Sequence, residues 1–252
     1  MAEPKRQLIY GLHPVAAVID TSPERVLELW ISRENARVRA LRERALAVGL
    51  RIQTVPDDAL AKLVGEVVHQ GTVAAVRPAK PLNEHDLGEA IRASRDPLIL
   101  VLDGVTDPHN LGACLRTAAA AAASAVVLPK DRSAALDGVA RKVASGAAEL
   151  VPVATVTNLA RSLKMMKEQG IWVVGTDAGT DASLYSADLR RPLALVLGAE
   201  GSGMRRLTRE SCDFLVRIPL CGPMESLNVS VAAGIALFEA RRQRLLPGKA
   251  PA

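Results

Sequence analysis

Residues 97–117 read PLILVLDGVTDPHNLGACLRT, and the order of residue types in them decides the class of fold. Six residues from Pro97 to Leu102 are apolar without polar alternation, the pattern of a strand covered on both faces in a parallel sheet. Asp103, Gly104 and Pro108 then break that pattern, and an Ala- and Leu-rich helical stretch begins near Asn110 and Leu111. A strand that ends in a polar turn and runs straight into a helix is the repeating unit of an α/β sheet, and ligands of such sheets sit where strands end.

The same alternation continues outward. Downstream, strands are expected at 125–128, near 151, and at 171–175, 192–197 and 214–218. Helices are expected at 111–123, 139–144, 158–168 and 228–244. Upstream, shorter runs predict helices at 14–20 and 36–48 and strands at 26–31, 51–55 and 71–76, a small α/β domain of its own. Between them RPAKPLNEHD, residues 77–86, has two prolines and no periodic apolar residues, which reads as a linker. The expected organisation is a domain at 1–77, a linker at 78–96 and a larger domain at 97–246.

Composition narrows the classes. Of 252 residues 49% are hydrophobic, enough for real cores, but only 2% are aromatic, so a single-strand binder built on stacked bases is set aside. A net charge of +5 is a mild basic excess compatible with nucleic acid. It is locally dense at Arg33, Arg37, Arg39, Arg42 and Arg44. On a helix, 33, 37 and 44 share one face, either a phosphate-contacting surface or a solvated one. Three cysteines, Cys114, Cys212 and Cys221, and four histidines, His13, His69, His85 and His109, have no metal-ligand or disulfide spacing. No metal is therefore expected. MAEPKRQLIYG has no apolar signal segment, and no run is long enough to cross a membrane, so a cytoplasmic protein without membrane partners is expected.

Two further segments sit at strand ends. LVLGAEGSGM, 195–204, brings Gly198, Glu200, Gly201 and Gly203 to the end of a strand, where glycines permit close main-chain approach or positive φ. Its GxxGxG spacing is not the dinucleotide fingerprint, no helical pattern with a matching acid follows, and no phosphate-loop motif occurs, so NAD is not expected. IPLCGPMESLNVSVAAGIALFEARRQ, 218–243, runs from a strand through a Gly222–Pro223 loop to Ser226 or Asn228, either of which can cap the apolar helix that follows. Asn110 is equally a candidate cap. Asp103 and Asp107 read as turn formers or RNA contacts, and Arg141 and Lys142 as phosphate contacts or a solvated face.

Asn110 with Arg116, GAEGSGM around Glu200, and SLNVSVA from Ser226 resemble, in order and spacing, the three signature motifs of the SPOUT, or trefoil-knot, RNA ribose 2′-O-methyltransferases. IYGLHPV, VHQGTVAAV and VTDPHNLGACLR make the likeness greatest to the bacterial members that methylate a guanosine in the peptidyl-transferase region of 23S ribosomal RNA. It spans roughly residues 8–245. The resemblance implies an α/β knot domain with a mostly parallel sheet, behind a small L30e-like α/β domain that helps hold RNA. It implies S-adenosylmethionine as methyl donor and a homodimer formed through the knots. Knot loops would fall at 176–178, 198–203 and 218–228. The donor would be held by Thr176, Gly198, Gly201, Ile218 and Leu227, largely through backbone. Catalysis would rest on Arg116, Asn110, Glu200, Ser226 and Asn228.

Arg116 is expected to be essential, but a guanidinium stays protonated, so fixing a phosphate and stabilising a developing alkoxide suit it better than accepting a proton. Glu200 would accept the proton or orient Arg116 through a bidentate contact, its structural alternative being an ion pair. The rival functions are 2′-O-methylation of transfer RNA, a non-catalytic RNA-binding protein, and a nucleotide-dependent dehydrogenase.

Overall fold

The computed structural model describes residues 6–32, 34–79 and 82–245. The chain divides into two compact units, Met1–Lys80 and Pro81–Ala252.

The first unit runs β1 (Gln7–Tyr10), α1 (Leu12–Thr21), β2 (Val26–Ile31), α2 (Ala36–Ala47), β3 (Ile52–Thr54), α3 (Asp57–Val64) and β4 (Thr72–Val76). Its sheet has the order β1-β4-β2-β3, with β4 antiparallel to both neighbours and β2 parallel to β3. Every residue of β4 is buried because both faces are covered. Ala74 and Val76 pack with residues of α1 and α2, while Val73 and Ala75 meet Trp30 and Leu60 on the other side, the two-residue alternation of a strand. β1 and α3 were not expected from the sequence. Each is short, and neither has an apolar run that stands out from its flanks.

The second unit runs α4 (Glu84–Ala93), β5 (Leu98–Asp103), α5 (Pro108–Ala120), β6 (Ala125–Pro129), α6 (Gly138–Ala144), α7 (Ala147–Leu150), β7 (Val153–Val156), α8 (Leu159–Glu168), β8 (Trp172–Thr176), β9 (Leu193–Gly198), α9 (Arg206–Ser211), β10 (Phe214–Val216) and α10 (Val229–Leu245). Six parallel strands lie in the order β10-β8-β9-β5-β6-β7. β5 is buried along its whole length. Leu98, Leu100 and Leu102 pack with residues of α5, α6 and α10, and Ile99 and Val101 with residues of α4 and α8. Strand order reverses between β5 and β9, the place where α/β sheets open a crevice beyond their carboxyl ends.

The linker expected over 78–96 is largely not one, because residues 84–93 form α4. The polar run that suggested a loop is a helix start. Asn83 Oδ1 accepts from the main-chain N–H of His85 and Asp86 at 2.8 and 3.0 Å, and Asp86 Oδ2 accepts from Asn83 N–H at 3.1 Å, a complete capping box. Leu87 and Ile91 then bury against the sheet, and Leu82 bridges to Ala154.

Two close approaches fix the helices that matter for the site. A Cβ at Gly112 would lie 2.5 Å from the Ala140 carbonyl oxygen and 2.6 Å from Val143 Cβ, so α5 and α6 touch where only hydrogen fits. At the far end of α10, Arg241 donates to the carbonyls of Ala121 and Ala122, and Arg244 to those of Leu189, Asp96, Pro97 and Arg191. Arg244 also pairs with the Asp96 carboxylate at 3.1 Å and is only 6% exposed.

Candidate active site

Three chain segments converge beyond the carboxyl ends of β5, β9 and β10. In the first, Asp107 rather than Asn110 caps α5. Its Oδ1 accepts from His109 N–H at 2.9 Å, and Pro108 takes the first helical position, where no N–H is needed. Asn110 is thereby free for a different partner.

In the second segment the chain leaves β9 at Gly198 and turns back on itself. Ala199 and Gly203 exchange main-chain hydrogen bonds at 3.1 and 2.9 Å. Gly201 and Gly203 have φ of +77° and +66°, the left-handed region that glycine enters without cost. A Cβ at Gly198 would fall 2.1 Å from the Gly203 carbonyl carbon, so the turn folds directly over the strand end. Glu200 is carried at its tip. The short helix α9, which the sequence did not announce, follows it.

In the third segment the chain passes from β10 through residues 217–228 into α10. Asn228 is the cap: its Oδ1 accepts from Ser230 N–H at 2.9 Å and from the Ser230 hydroxyl at 2.6 Å. Of the two residues offered for that role, Ser226 is the one not used; it stands exposed beside the site.

The segments meet at Glu200. Its Oε1 accepts from Asn228 Nδ2 at 2.7 Å, from Val229 N–H at 3.1 Å and from Asn110 Nδ2 at 3.3 Å, and Asn228 Nδ2 also reaches Asn110 Oδ1 at 2.8 Å. A carboxylate oxygen is a group that can accept several donors at once. Glu200 Oε2 has no partner among the described residues.

Arg116 does not join this junction. It lies two turns along α5, exposed, with neither ion pair nor hydrogen bond among the described residues, so the bidentate contact with Glu200 is not made. Nor is Glu200 in the alternative ion pair. Arg141 pairs with Glu149 at 2.5 Å and is not available to a ligand, whereas Lys142 is exposed.

Beside the junction opens a cavity of about 330 Å³. Thr176, Gly198, Gly201, Ile218 and Leu227, from three different loops, all line it, and Glu200 and Ser226 stand at the same place. Leu197, Leu220 and Ala232 make much of its wall apolar, and Asp177 and Glu225 add carboxylates. Asp177 holds the 176–178 loop: Arg209 Nε meets its Oδ2 at 2.6 Å and Gly179 N–H its Oδ1 at 2.7 Å. The Arg209 bond first, then that of Gly179, keeps the Asp177 carboxyl below the ordinary carboxylate range. A larger crevice, about 480 Å³, lies beyond β6 and β7 and contains none of these loops.

The other singled-out residues have structural settings. His69 is buried and its Nδ1 accepts from Gly71 N–H at 3.1 Å; His109 lies in the first turn of α5; His85 faces Glu89 at 3.6 Å. Among the described residues no three His, Cys, Asp or Glu stand together as a metal site, and no helix is long and apolar enough to cross a membrane. In the first unit, Arg39 and Arg42 pair with Glu34 and Arg44 with Asp20, Arg37 has no side-chain partner among the described residues, and Arg33 falls outside them. Sequence reading missed Arg205, which holds the buried Asp103 in a 2.6 Å ion pair. The only signal was an acid ending an otherwise apolar strand.

Comparison with known proteins agrees with this layout. Residues 97–238 match the model of the SpoU rRNA Methylase family, and residues 8–82 match that of the RNA 2′-O ribose methyltransferase substrate binding domain. The chain is 52% identical over 242 residues to the 23S rRNA (guanosine-2′-O-)-methyltransferase RlmB of Shewanella oneidensis, covering 95% of this chain and 98% of that one. It is 53% identical over 240 residues to the enzyme of the same name from Haemophilus influenzae, at 94% and 98% coverage. Among solved structures it is similar to the SpoU methyltransferase AviRb from Streptomyces viridochromogenes in complex with AdoMet, with 26% identity, a TM-score of 0.75, and 95% and 91% of the two chains covered. With one family model spanning the whole convergent site and near-full-length relatives above half identity, the chain belongs to the SpoU rRNA methylase family.

Proposed function

We propose that the protein transfers the methyl group of S-adenosylmethionine to the ribose 2′-hydroxyl of a guanosine in the peptidyl-transferase region of 23S ribosomal RNA. The observation that carries this reading is the junction of Asn110, Glu200 and Asn228 at the mouth of a cavity lined by three strand-end loops. The near-full-length likeness to enzymes named for that reaction supports the choice of RNA.

The cavity suits the donor. At about 330 Å³ it falls in the size range of small-molecule sites, its apolar wall suits a purine ring, and the carboxylates and Arg217 on its lining suit a molecule that carries both cationic groups and a carboxylate. S-adenosylmethionine, when bound, supplies an electrophilic methyl group. Thr176, Gly198, Gly201, Ile218 and Leu227 hold it, in large part through main-chain groups that glycine leaves accessible. Glu200, Asn110 and Asn228 fix the three loops about the reacting atoms. Arg116, unpaired and exposed, is available to a phosphate of the target and to the charge that develops on the 2′-oxygen. Ser226 presents a hydroxyl to the same nucleotide. Glu200 Oε2, a carboxylate oxygen without a partner among the described residues, accepts the proton.

The assembly belongs to the same reading. The chain after β10 threads a loop to form a trefoil knot, and two copies associate through their knots. Support comes from the strand order, in which β10 is an edge strand while α10 returns to pack with residues of α5 and β9, and from Val231 and Phe238, apolar yet 50% exposed on α10. The unit at 1–77 holds the RNA, with Arg37 among its phosphate contacts, and the protein works in the cytoplasm. Ribose methylation mapped by mass spectrometry in large-subunit RNA from cells lacking the protein is expected to lose one guanosine modification. An unchanged map, with a loss in transfer RNA instead, would replace the proposed target.

A further inference from the structure

We propose that Asp103 and Arg205 are positioning residues that set the place of Glu200 by clamping both ends of the turn that carries it, an inference that rests on the function proposed above. Asp103 is the last residue of β5 and pairs in register with Gly198, where the turn leaves β9. Arg205, where the turn ends, folds back onto the same residue. Its main-chain N–H donates to Asp103 Oδ2 at 2.8 Å, and its Nε and Nη2 both stand 2.6 Å from Oδ1.

Entry and exit of the turn are therefore tied to one residue, the entry through the main-chain ladder of β5 with β9 and the exit through the Asp103 side chain. Between them Ala199 and Gly203 bond to each other, and a Cβ on Gly104 would meet Ala199 Cβ at 3.5 Å, so the turn rests against the residue after Asp103 as well. Glu200, inside this frame, is left to reach Asn110 and Asn228.

The Asp103 side chain is fully buried, and a buried carboxylate that loses its cation is strongly disfavoured. The Arg205 side chain is 41% exposed, so the arginine belongs to the surface and its function is directed inward. A carboxylate at the end of a strand could serve simply to stop it. Here it accepts from both main chain and side chain of a residue 102 positions away, which a strand stop does not need.

The test uses the full chain with Asp103→Asn, Arg205→Ala and Arg205→Lys, each alone and combined with Glu200→Gln. Amide exchange at residues 199–204 in the ligand-free protein is expected to quicken at least tenfold in Arg205→Ala, with β6 unchanged, and to be partly restored in Arg205→Lys. For methyl transfer to a 23S fragment, kcat is expected to fall at least tenfold in Arg205→Ala, yet less than twofold when Glu200→Gln is already present. Unchanged exchange in the turn, or losses that multiply independently of Glu200→Gln, would overturn the clamp. Wild-type protein that transfers no methyl group would sink the proposed function and leave the exchange result to decide the clamp alone.

Discussion

Asn228 Nδ2 lies 2.7 Å from Glu200 Oε1, and that one oxygen also receives the Asn110 side chain and the first main-chain N–H of α10. Three segments separated by 90 and 28 residues are thus referred to a single atom. Glu200→Gln keeps an acceptor in place but removes its charge. Because the site is exposed, thermal stability is expected to drop by less than about 1 kcal/mol. Methyl transfer, read by isotope incorporation into 23S RNA, is expected to fall roughly 10–100-fold through loss of charge and alignment at the reacting atoms. A variant with normal turnover would remove Glu200 from the reaction.

Arg116→Ala is expected to abolish methylation while calorimetry still finds S-adenosylmethionine bound with an affinity within about twofold of the parent. The exposed guanidinium makes neither ion pair nor hydrogen bond among the described residues, so no polar contact of the fold is lost and the melting temperature should stay put. Near-normal turnover would refute the assignment, and lost donor binding would relocate Arg116 to the cavity.

Gly112→Ala tests the helix crossing. The new methyl group would have to displace the Ala140 carbonyl and Val143, and overpacking of this kind costs about 1–3 kcal/mol. For a domain of this size that is a fall of roughly 2–12 °C in melting temperature, measurable by calorimetry. Gly138→Ala, where nothing lies within 4 Å, is the control and should change little.

Acid should loosen the cavity through Asp177. Its carboxyl is held below its ordinary value of 3.8 by Arg209 and Gly179, so folding is favoured above that value and the contribution is lost as pH falls through the lower folded-state value. Unfolding followed from pH 6 down to pH 2 should therefore show a shallower acid limb in Asp177→Asn than in the parent. Parallel limbs would mean the pair contributes nothing.

The three thiols should separate cleanly. Burial pushes Cys114 and Cys212 up to about 12, whereas Cys221 is exposed on the loop before α10. At pH 8 a thiol reagent is expected to modify one cysteine quickly and the other two only after denaturation. Protection of Cys221 by S-adenosylmethionine would tie its loop to the donor cavity.

The strands β5, β6, β8 and β9 were legible because each is a short apolar run closed by Gly, Pro or Asp, whereas the strand expected near 151 falls at Val153–Val156, after the short helix α7 that no pattern announced. The three strand-end segments were legible for the same reason, and the structure places the five expected cavity residues around one space. What escaped depended on partners far along the chain. Asn110 has the residue type of a cap, and only the fold shows that Asp107 already fills that role and that Glu200, 90 residues on, takes the amide. Residues 83–86 lack an apolar period, so they read as loop until Asn83 and Asp86 are seen to close a capping box. Arg205 is unremarkable in sequence, since an arginine after a glycine-rich turn announces nothing about a carboxylate 102 positions earlier.

Near the end of α10, Arg242 pairs with the Glu239 carboxylate, whereas Arg241 and Arg244 are fastened almost wholly to carbonyl oxygens, six of them, with the Asp96 carboxylate as their one side-chain partner among the described residues. Every residue type offers a carbonyl. As far as these bonds are concerned the recipient side chains can change without releasing the helix, while positions 241 and 244 must keep their guanidinium; what holds Leu189 and Ala121 to apolar types is their burial in the core and not the arginines they receive.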